Sequence, residues 1–172
     1  MRASERLIQA PDRQNPLCLS AFTPSLFCLV PPCIRQCFSA FDKARLLLRI
    51  FRGYTVYYLT ENTIPAGYCF IKKNYLGKYR YLKKGDTLIN PYYVNPDYRG
   101  AGLGGKLIAA AIADTTVPWD SLYAVVKEDN APSIRTLEKL GFAEIGCSKK
   151  HGWFHCFTKT PTHLRIFRIT RS

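Results

Sequence analysis

The sequence predicts an α+β fold, a mixed β-sheet flanked by helices. Three observations predict it. The apolar residues recur at helical spacing over residues 32–51 and at strand spacing from residue 54 onward. Two adjacent strand-like runs are joined as a hairpin, which breaks the regular strand–helix alternation of a doubly wound sheet. Last, the order strand–loop–helix–strand–helix is followed by two further strand-like runs. With 172 residues, 47% hydrophobic and 22% charged, the chain is expected to form a single domain over residues 1–172.

Taken in order, residues 1–16 ("MRASERLIQAPDRQNP") are polar and carry two prolines, which predicts a poorly ordered arm. Residues 17–22 read as a short strand. Pro31-Pro32 suits a helix start, and "CIRQCF" and "AFDKARLLLRIF" read as helix, with Ala44, Leu47, Leu48 and Phe51 recurring at three and four residues. After Gly53 the period changes. "YTVYYL" and "AGYCFIKK" are β-branched and aromatic runs joined by "TENTIP". "NYLGKYRYLKKGD" is basic and turn-rich. "TLINPYYV" reads as a strand, yet Pro91 cannot donate to a ladder, so a bulge or break is expected at Asn90-Pro91. "GLGGKLIAAAIAD" is a helix with Leu103, Leu107, Ala110 and Ala111 on one face, and "SLYAVVK" is an almost wholly apolar, parallel-type strand. "NAPSIRTLEKL" is a helix with Asn130 as cap, Pro132 in the first turn, Ile134, Leu137 and Leu140 toward the core, and Gly141 as stop. "FAEIGCSKK" and "WFHCFTKT" are strands; "HLRIFRI" is another strand or a loose tail.

Composition narrows the function classes. The net charge of +13 fits binding to nucleic acid, to an anionic membrane surface or to a phosphate-rich small molecule, or a simply solvated basic surface. The cations concentrate at 72–84 and after residue 148, and no acid follows Glu144. No recognised nucleic-acid module accompanies the interleaved Tyr and Lys of 75–84, so nucleic acid is not an expected partner. Seven cysteines form no even framework, which excludes an obligatory disulfide scaffold. Cys28, Cys33 and Cys37 have no fourth ligand at a recognisable spacing and read as packing residues. His151, His155 and Cys156 ("HGWFHC") read as partly buried beside Trp153, and no metal is expected. The run "FTPSLFCLVPPC" is interrupted by Pro24, Pro31 and Pro32 and falls short of the roughly 20 apolar residues of a membrane span. With neither a span nor a cleavable leader in the sequence, the expected location is the cytoplasm.

"NPDYRGAGLGGKL" (95–107) satisfies three phosphate patterns. Gly100 to Lys106 spell G-x-x-x-x-G-K, but a P-loop needs a magnesium-binding hydroxyl at position 107, which is Leu. Gly100, Gly102 and Gly105 spell the dinucleotide fingerprint G-x-G-x-x-G, with Glu128 and Asp129 past the next strand as ribose-binding candidates. Against it, "NPDYR" separates Val94 from Gly100, only about 70 residues follow, and a hairpin precedes. A glycine-rich turn that merely starts a helix is the plainest reading. Arg99, Gly102 and Gly104 spell R-x-x-G-x-G, a pattern for the pyrophosphate of coenzyme A. Glycines let backbone N–H groups approach a phosphate, and a helix N-terminus adds a favourable dipole.

"YYVNPDYRGAGLGGKL" resembles the GNAT superfamily signature V-x-P-x-x-R-G-x-G-x-G between a strand and a helix. "NAPSIRTLEKLGF" (130–142) resembles the same superfamily's N-x-x-S-x-x-x-L-E-K-L-G-F. Both lie in order with one strand between them, and the resemblance covers about residues 54–160. It implies an acyl-CoA-dependent N-acetyltransferase with a GNAT-like fold whose fourth and fifth strands splay apart. Acetyl-CoA is then the co-substrate, with direct transfer to a small-molecule or peptide amine, by a monomer or homodimer with no metal. The implied coenzyme contacts are Tyr92, Tyr93, Val94, Arg99, Gly100, Ala101, Gly102, Leu103, Gly104, Gly105, Asn130 and Ser133. Tyr92 and Val94 offer backbone groups to the pantetheine, and the irregularity at Pro91 lies near the thioester. Leu88, Val125 and Leu137 stand where other members place acid or base groups, so those roles do not carry over. Asn90 and Tyr92 are the catalytic candidates taken forward, with Tyr93, Glu128 and His155 behind them. The basic stretch 72–84 suits an anionic acceptor, such as a phosphorylated or nucleotide-linked amino sugar or an acidic peptide. A non-catalytic acyl-CoA-binding module and a dinucleotide-binding protein are the alternatives.

Overall fold

The computed structural model describes residues 3–10, 17–48, 50–73, 77–114 and 118–171. Among them run nine strands: β1 Ser4–Gln9, β2 Cys18–Thr23, β3 Tyr54–Glu61, β4 Ile64–Lys73, β5 Thr87–Val94, β6 Ser121–Lys127, β7 Ala143–His151, β8 Phe154–Thr158 and β9 Leu164–Thr170. The helices are α1 Ala40–Leu47, α2 Leu103–Ala113 and α3 Ala131–Lys139. The strands hydrogen-bond in the order β1-β2-β3-β4-β5-β6-β9-β7-β8. The β5–β6 pair is parallel, while β1–β2, β2–β3, β6–β9, β7–β9 and β7–β8 are antiparallel. The sheet is therefore mixed and the class is α+β, as the periodicity predicts.

The chain divides into two compact units, Met1–Ile71 with Pro91–Asp114, and Lys72–Asn90 with Thr115–Ser172. In the first, Phe22, Val30, Ile34, Phe38, Leu46, Tyr54, Val56, Tyr58, Tyr68 and Phe70 form one buried cluster. The hairpin β3–β4 turns at Asn62 and Thr63, both with positive φ (47° and 74°), the conformation of a tight two-residue hairpin turn. In the second, Tyr79, Leu82, Leu88, Tyr123 and Ile166 form a buried cluster.

Three sequence expectations need correction. The arm 1–16 holds a strand over Ser4–Gln9; residues 1–2 and 11–16 lie outside the described residues. All six residues of β1 are exposed, so no hydropathy pattern announces it. Its ladder to β2 and two polar anchors hold it instead: the Tyr58 hydroxyl donates to Glu5, and Arg6 pairs with the buried Asp114, which also accepts from the Tyr57 hydroxyl at 2.7 Å. Burial first, then Glu5, pushes the Tyr58 phenol above its ordinary pKa.

The second correction concerns "CIRQCF", which is a 3-10 turn (Pro32–Cys37). The third is that α1 ends at Leu47, followed by another 3-10 turn at Ile50–Arg52. Of α1 only Leu46 is buried, so the stripe Ala44, Leu47, Leu48 and Phe51 faces outward. The helix starts where Ser39 and Asp42 form a reciprocal capping box. Of the two readings of "HLRIFRI", the strand holds: it forms β9 and sits between β6 and β7, with Ile166 and Phe167 fully buried.

At Asn90-Pro91 strand β5 itself continues, but its paired register with β6 covers only Thr87↔Leu122 to Ile89↔Ala124. The ladder therefore stops before Pro91, the residue that cannot donate. Among the described residues no helix is long and apolar enough to cross a membrane, and no group of three or more His, Cys, Asp or Glu is placed to hold a metal ion. Residues 74–76 of the basic stretch lie outside the described residues.

Candidate functional site

In the first unit the second half of β5 leads into a built turn. Asn95 donates its backbone N–H to the Ala66 carbonyl (2.9 Å), which keeps the chain on β4 one residue beyond the strand. Its side chain accepts from the N–H of Asp97 (3.3 Å) and caps the 3-10 turn Pro96–Tyr98. The Tyr98 hydroxyl donates to Glu61 (2.7 Å), tying the turn to the end of β3. Arg99 donates from Nε to the Val94 carbonyl (3.4 Å), so it braces the turn from outside. One lone pair of the Val94 carbonyl is therefore already engaged.

Gly100 and Gly102 follow with φ of +85° and +70°, the left-handed region that other residues enter only at a cost. A Cβ at either position would meet nothing within 4 Å. Glycine is therefore required by the backbone, and the space before the loop is open. Gly102 is the N-cap of α2 and contributes no side chain to its first turn. The first intrahelical bond runs from Lys106 N–H to the Gly102 carbonyl (3.2 Å), so the N–H groups of Leu103, Gly104 and Gly105 have no acceptor within the helix. No acidic side chain stands in that first turn to occupy them. These amides and the positive end of the helix dipole make an anion-binding terminus.

Gly104 is buried for another reason. A Cβ there would lie 1.5 Å from the Tyr92 hydroxyl, so the phenol of β5 packs directly on the helix backbone. Burial holds the Tyr92 phenol above its ordinary pKa and therefore protonated at neutral pH. Tyr93 points to the other face, as strand alternation requires, with its ring 5.5 Å from that of Tyr68. Two residues not singled out from sequence also shape this place. A Cβ on Gly67 would come to 2.9 Å from the Tyr93 carbonyl, so β4 and β5 touch closely there. A glycine inside a strand is the signal that could have found it. Asn95 is the second, a turn-forming residue before proline.

The remaining candidates lie in the second unit. Asn90 is half-buried, and Leu88 lies in the core. Asn130 caps α3 by accepting from the N–H of Ser133 (3.3 Å), so these two stand together. Glu128 is exposed in the turn after β6, its N–H donating to the His163 carbonyl (3.0 Å). His155 on β8 is half-buried; its ring stacks on Tyr79 (4.9 Å), and its Nδ1 lies 3.2 Å from the fully buried Ser148 hydroxyl. Its backbone bonds Lys78 and Arg80 on the basic stretch (2.6 and 2.9 Å). Lys78 lies 4.9 Å over the Trp153 ring and Arg80 4.0 Å over Phe154. This unit carries fifteen Lys and Arg against six Asp and Glu, most of the chain's excess charge.

Burial first, then Lys78 and Lys150, lowers the His155 pKa below its ordinary value. A lowered folded-state pKa means that the unfolded chain takes up the proton first. The folded state is thus favoured above about pH 6.5 and loses that contribution as pH falls below it. Thermal melts between about pH 7 and pH 5 are expected to show a steeper loss of melting temperature for the wild type than for His155→Gln. Parallel profiles would contradict this.

A family model described as the acetyltransferase (GNAT) family matches residues 25–142, a span that runs through both units. Among solved structures, a GNAT-family protein from Desulfovibrio desulfuricans is 17% identical, with 98% of this chain and 99% of that one covered at a TM-score of 0.55. A ribosomal-protein-alanine N-acetyltransferase from Brucella melitensis is 19% identical over 78% of this chain and 80% of that one, TM-score 0.57. RimL, an alpha-N-protein acetyltransferase solved with coenzyme A, is 14% identical over 76% and 69%, TM-score 0.54. At such identities these likenesses establish the fold. No curated protein matches the chain by sequence.

Proposed function

The chain belongs to the GNAT family of N-acetyltransferases, and from that premise we propose that it moves the acetyl group of acetyl-CoA directly onto a primary amine, with the loop Gly100–Gly105 receiving the coenzyme's pyrophosphate. The observation that carries this is the uncapped start of α2: left-handed Gly100 and Gly102, open space before them, and three helix amides without an intrahelical acceptor. Arg99 and Ala101 belong to the same loop, and Leu103 offers the first of those amides. The backbone of Tyr92, Tyr93 and Val94 is assigned to the pantetheine, the shared face of Val94 being reduced by the Arg99 contact. Asn130 and Ser133 are assigned to the coenzyme from the second motif. RimL, which shares the fold, was solved with coenzyme A.

In the transfer, the neutral amine nitrogen attacks the thioester carbonyl carbon. The C–N bond forms, the C–S bond breaks, the nitrogen gives up one proton to solvent, and the sulfur leaves as thiolate and takes up a proton. Tyr92 suits the acid side of that exchange, because its phenol is kept protonated by burial and its hydroxyl lies at the first turn of α2. It does not suit the base. Asn90, whose amide can donate to a developing oxyanion, is the second assignment. An anionic acceptor is favoured by the excess of cations in the second unit, where Lys78 and Arg80 are held over aromatic rings. An acidic peptide and a phosphorylated or nucleotide-linked amino sugar share that chemistry.

Two measurements test the reading. Acetyl-CoA is expected to raise the melting temperature, by about 2.7 kcal/mol of added stability at a hundredfold excess over its Kd. Gly102→Glu, which puts a carboxylate at the open loop, is expected to abolish that shift while costing only about 1–2 kcal/mol of backbone strain. No shift for the wild type at millimolar acetyl-CoA would sink the assignment. A thiol-release screen over amino sugars, nucleotide sugars, amino acids, peptides and polyamines then names the acceptor class. Stabilisation by the coenzyme with no release from any amine would identify a non-catalytic acyl-CoA-binding module, the reading that Leu88, Val125 and Leu137 favour by replacing acid and base groups.

A further inference from the structure

The outward stripe of α1 is one of two exposed apolar features within residues 26–51 of the first unit. Phe41, Leu47, Leu48 and Phe51 are 70%, 42%, 58% and 85% exposed. Upstream, Ser25 and Cys28 exchange two backbone hydrogen bonds (2.9 and 3.1 Å), closing a tight turn with Leu26 and Phe27 at its tip. Leu26 is 54% and Phe27 98% exposed. A single exposed apolar residue needs no explanation, but six large ones within residues 26–51 do. Val30, Ile34, Phe38 and Leu46 from this stretch turn inward to one core cluster, while Leu26, Phe27, Phe41, Leu47, Leu48 and Phe51 stay exposed.

Charge selects the occupant. Among the described side chains, residues 24–53 carry Arg35, Lys43 and Arg45 against a single acid, Asp42. Asp42 is already engaged, accepting from both the backbone N–H and the hydroxyl of Ser39 (3.2 and 2.7 Å). Arg45 lies 5.5 Å over the Phe41 ring, so cation and aromatic occupy one level of the face. We propose that this face docks on an anionic membrane surface, with Leu26 and Phe27 entering the headgroup–acyl boundary first and the α1 stripe lying along it. The cations then meet lipid phosphates, the arrangement of an interfacial helix that lies on a membrane without spanning it. A second copy fits less well, because a self-complementary contact would set this cationic face against itself. A protein partner would need a pocket for the projecting tip, whereas a bilayer receives a projection of any shape.

The test is flotation of the full chain with vesicles of mixed phosphatidylcholine and phosphatidylglycerol, against phosphatidylcholine alone. The chain is expected to float with the mixed vesicles only, and to be released as salt is raised. Phe27→Ser and Phe51→Ser are each expected to weaken partitioning about tenfold, by loss of one buried aromatic side chain. Their melting temperatures should stay near the wild-type value, since neither ring belongs to the core. Arg45→Gln tests the charge separately and should weaken binding to mixed vesicles without creating binding to neutral ones. Absence of wild-type flotation with mixed vesicles overturns the proposal and leaves an acidic protein partner as the reading. Flotation undiminished in Phe27→Ser/Phe51→Ser overturns it too, assigning the attraction to net charge alone. Concentration-dependent self-association that the double variant abolishes, with no flotation, overturns it in favour of a second copy.

Discussion

Gly104→Ala is expected to destabilise the protein by about 1–3 kcal/mol, although glycine to alanine inside a helix ordinarily stabilises by up to about 1 kcal/mol. The reversal follows from one contact. The new Cβ would fall 1.5 Å from the Tyr92 oxygen and 2.7 Å from its Cζ, far inside van der Waals contact, so either the phenol leaves its place or the start of α2 moves. Both outcomes disturb the amides of the first turn. The coenzyme-induced rise in melting temperature should therefore fall together with stability. Gly102→Ala is the control: it adds a methyl group to open space and costs only the strain of a left-handed φ. The mechanism is isolated by Tyr92→Ala, which removes the colliding atoms. In that background Gly104→Ala should cost little or nothing, giving a coupling of about 1–3 kcal/mol by urea unfolding of the four proteins. Additive costs would mean that Tyr92 and Gly104 do not share this contact.

How much of this was legible in the sequence depends on whether the cause was local. Gly100 and Gly102 announce themselves because a left-handed backbone excludes other residues at little penalty only for glycine. Asn130 and Ser133 do so because a cap and its donor lie three residues apart. The hairpin at Asn62-Thr63 separates two runs of strand period, and that also is a local signal. Strand β1 was illegible because every one of its side chains is exposed and its anchors, Tyr58 and Asp114, lie far along the chain. The α1 stripe shows the opposite failure. Its residues recur at helical spacing, but periodicity reports that a helix has an apolar face and not which neighbour covers it. Leu46 fills the inward position, and the stripe is left outside. The place of β9 between β6 and β7 is likewise a long-range choice: Ile166 and Phe167 had the alternation of a strand but no mark of a central one. Catalytic roles were least legible, because Tyr92 gains its raised pKa from burial that only the packed structure creates.

Phe70→Ala is expected to be the most damaging single truncation of the first unit, at about 3–5 kcal/mol. Phe70 is fully buried on β4 and meets three other rings, with centroids at 5.5 Å from Phe38, 5.7 Å from Tyr54 and 5.9 Å from Tyr68. Truncation thus leaves a cavity that three aromatic rings must share, and rigid rings collapse poorly into a void. A stability of about 5–15 kcal/mol, usual for a folded domain, leaves little after such a loss. The neighbouring Cys69 supplies a readout independent of melting. Its side chain is buried, its Sγ lies 3.9 Å from the Leu107 carbonyl, and burial pushes its thiol up to about 12, so it is inert to thiol reagents in the closed core. Exposed Cys37 provides the contrast, being open to reagent throughout. In Phe70→Ala the labelling of Cys69 should accelerate by more than a hundredfold, tracking the lost free energy of opening, while that of Cys37 stays unchanged. Phe70→Leu, which keeps most of the volume, should fall between. Cys69 labelling at the wild-type rate in Phe70→Ala would show that the core tolerates the void, and would contradict the aromatic cluster as the main stabiliser of this unit.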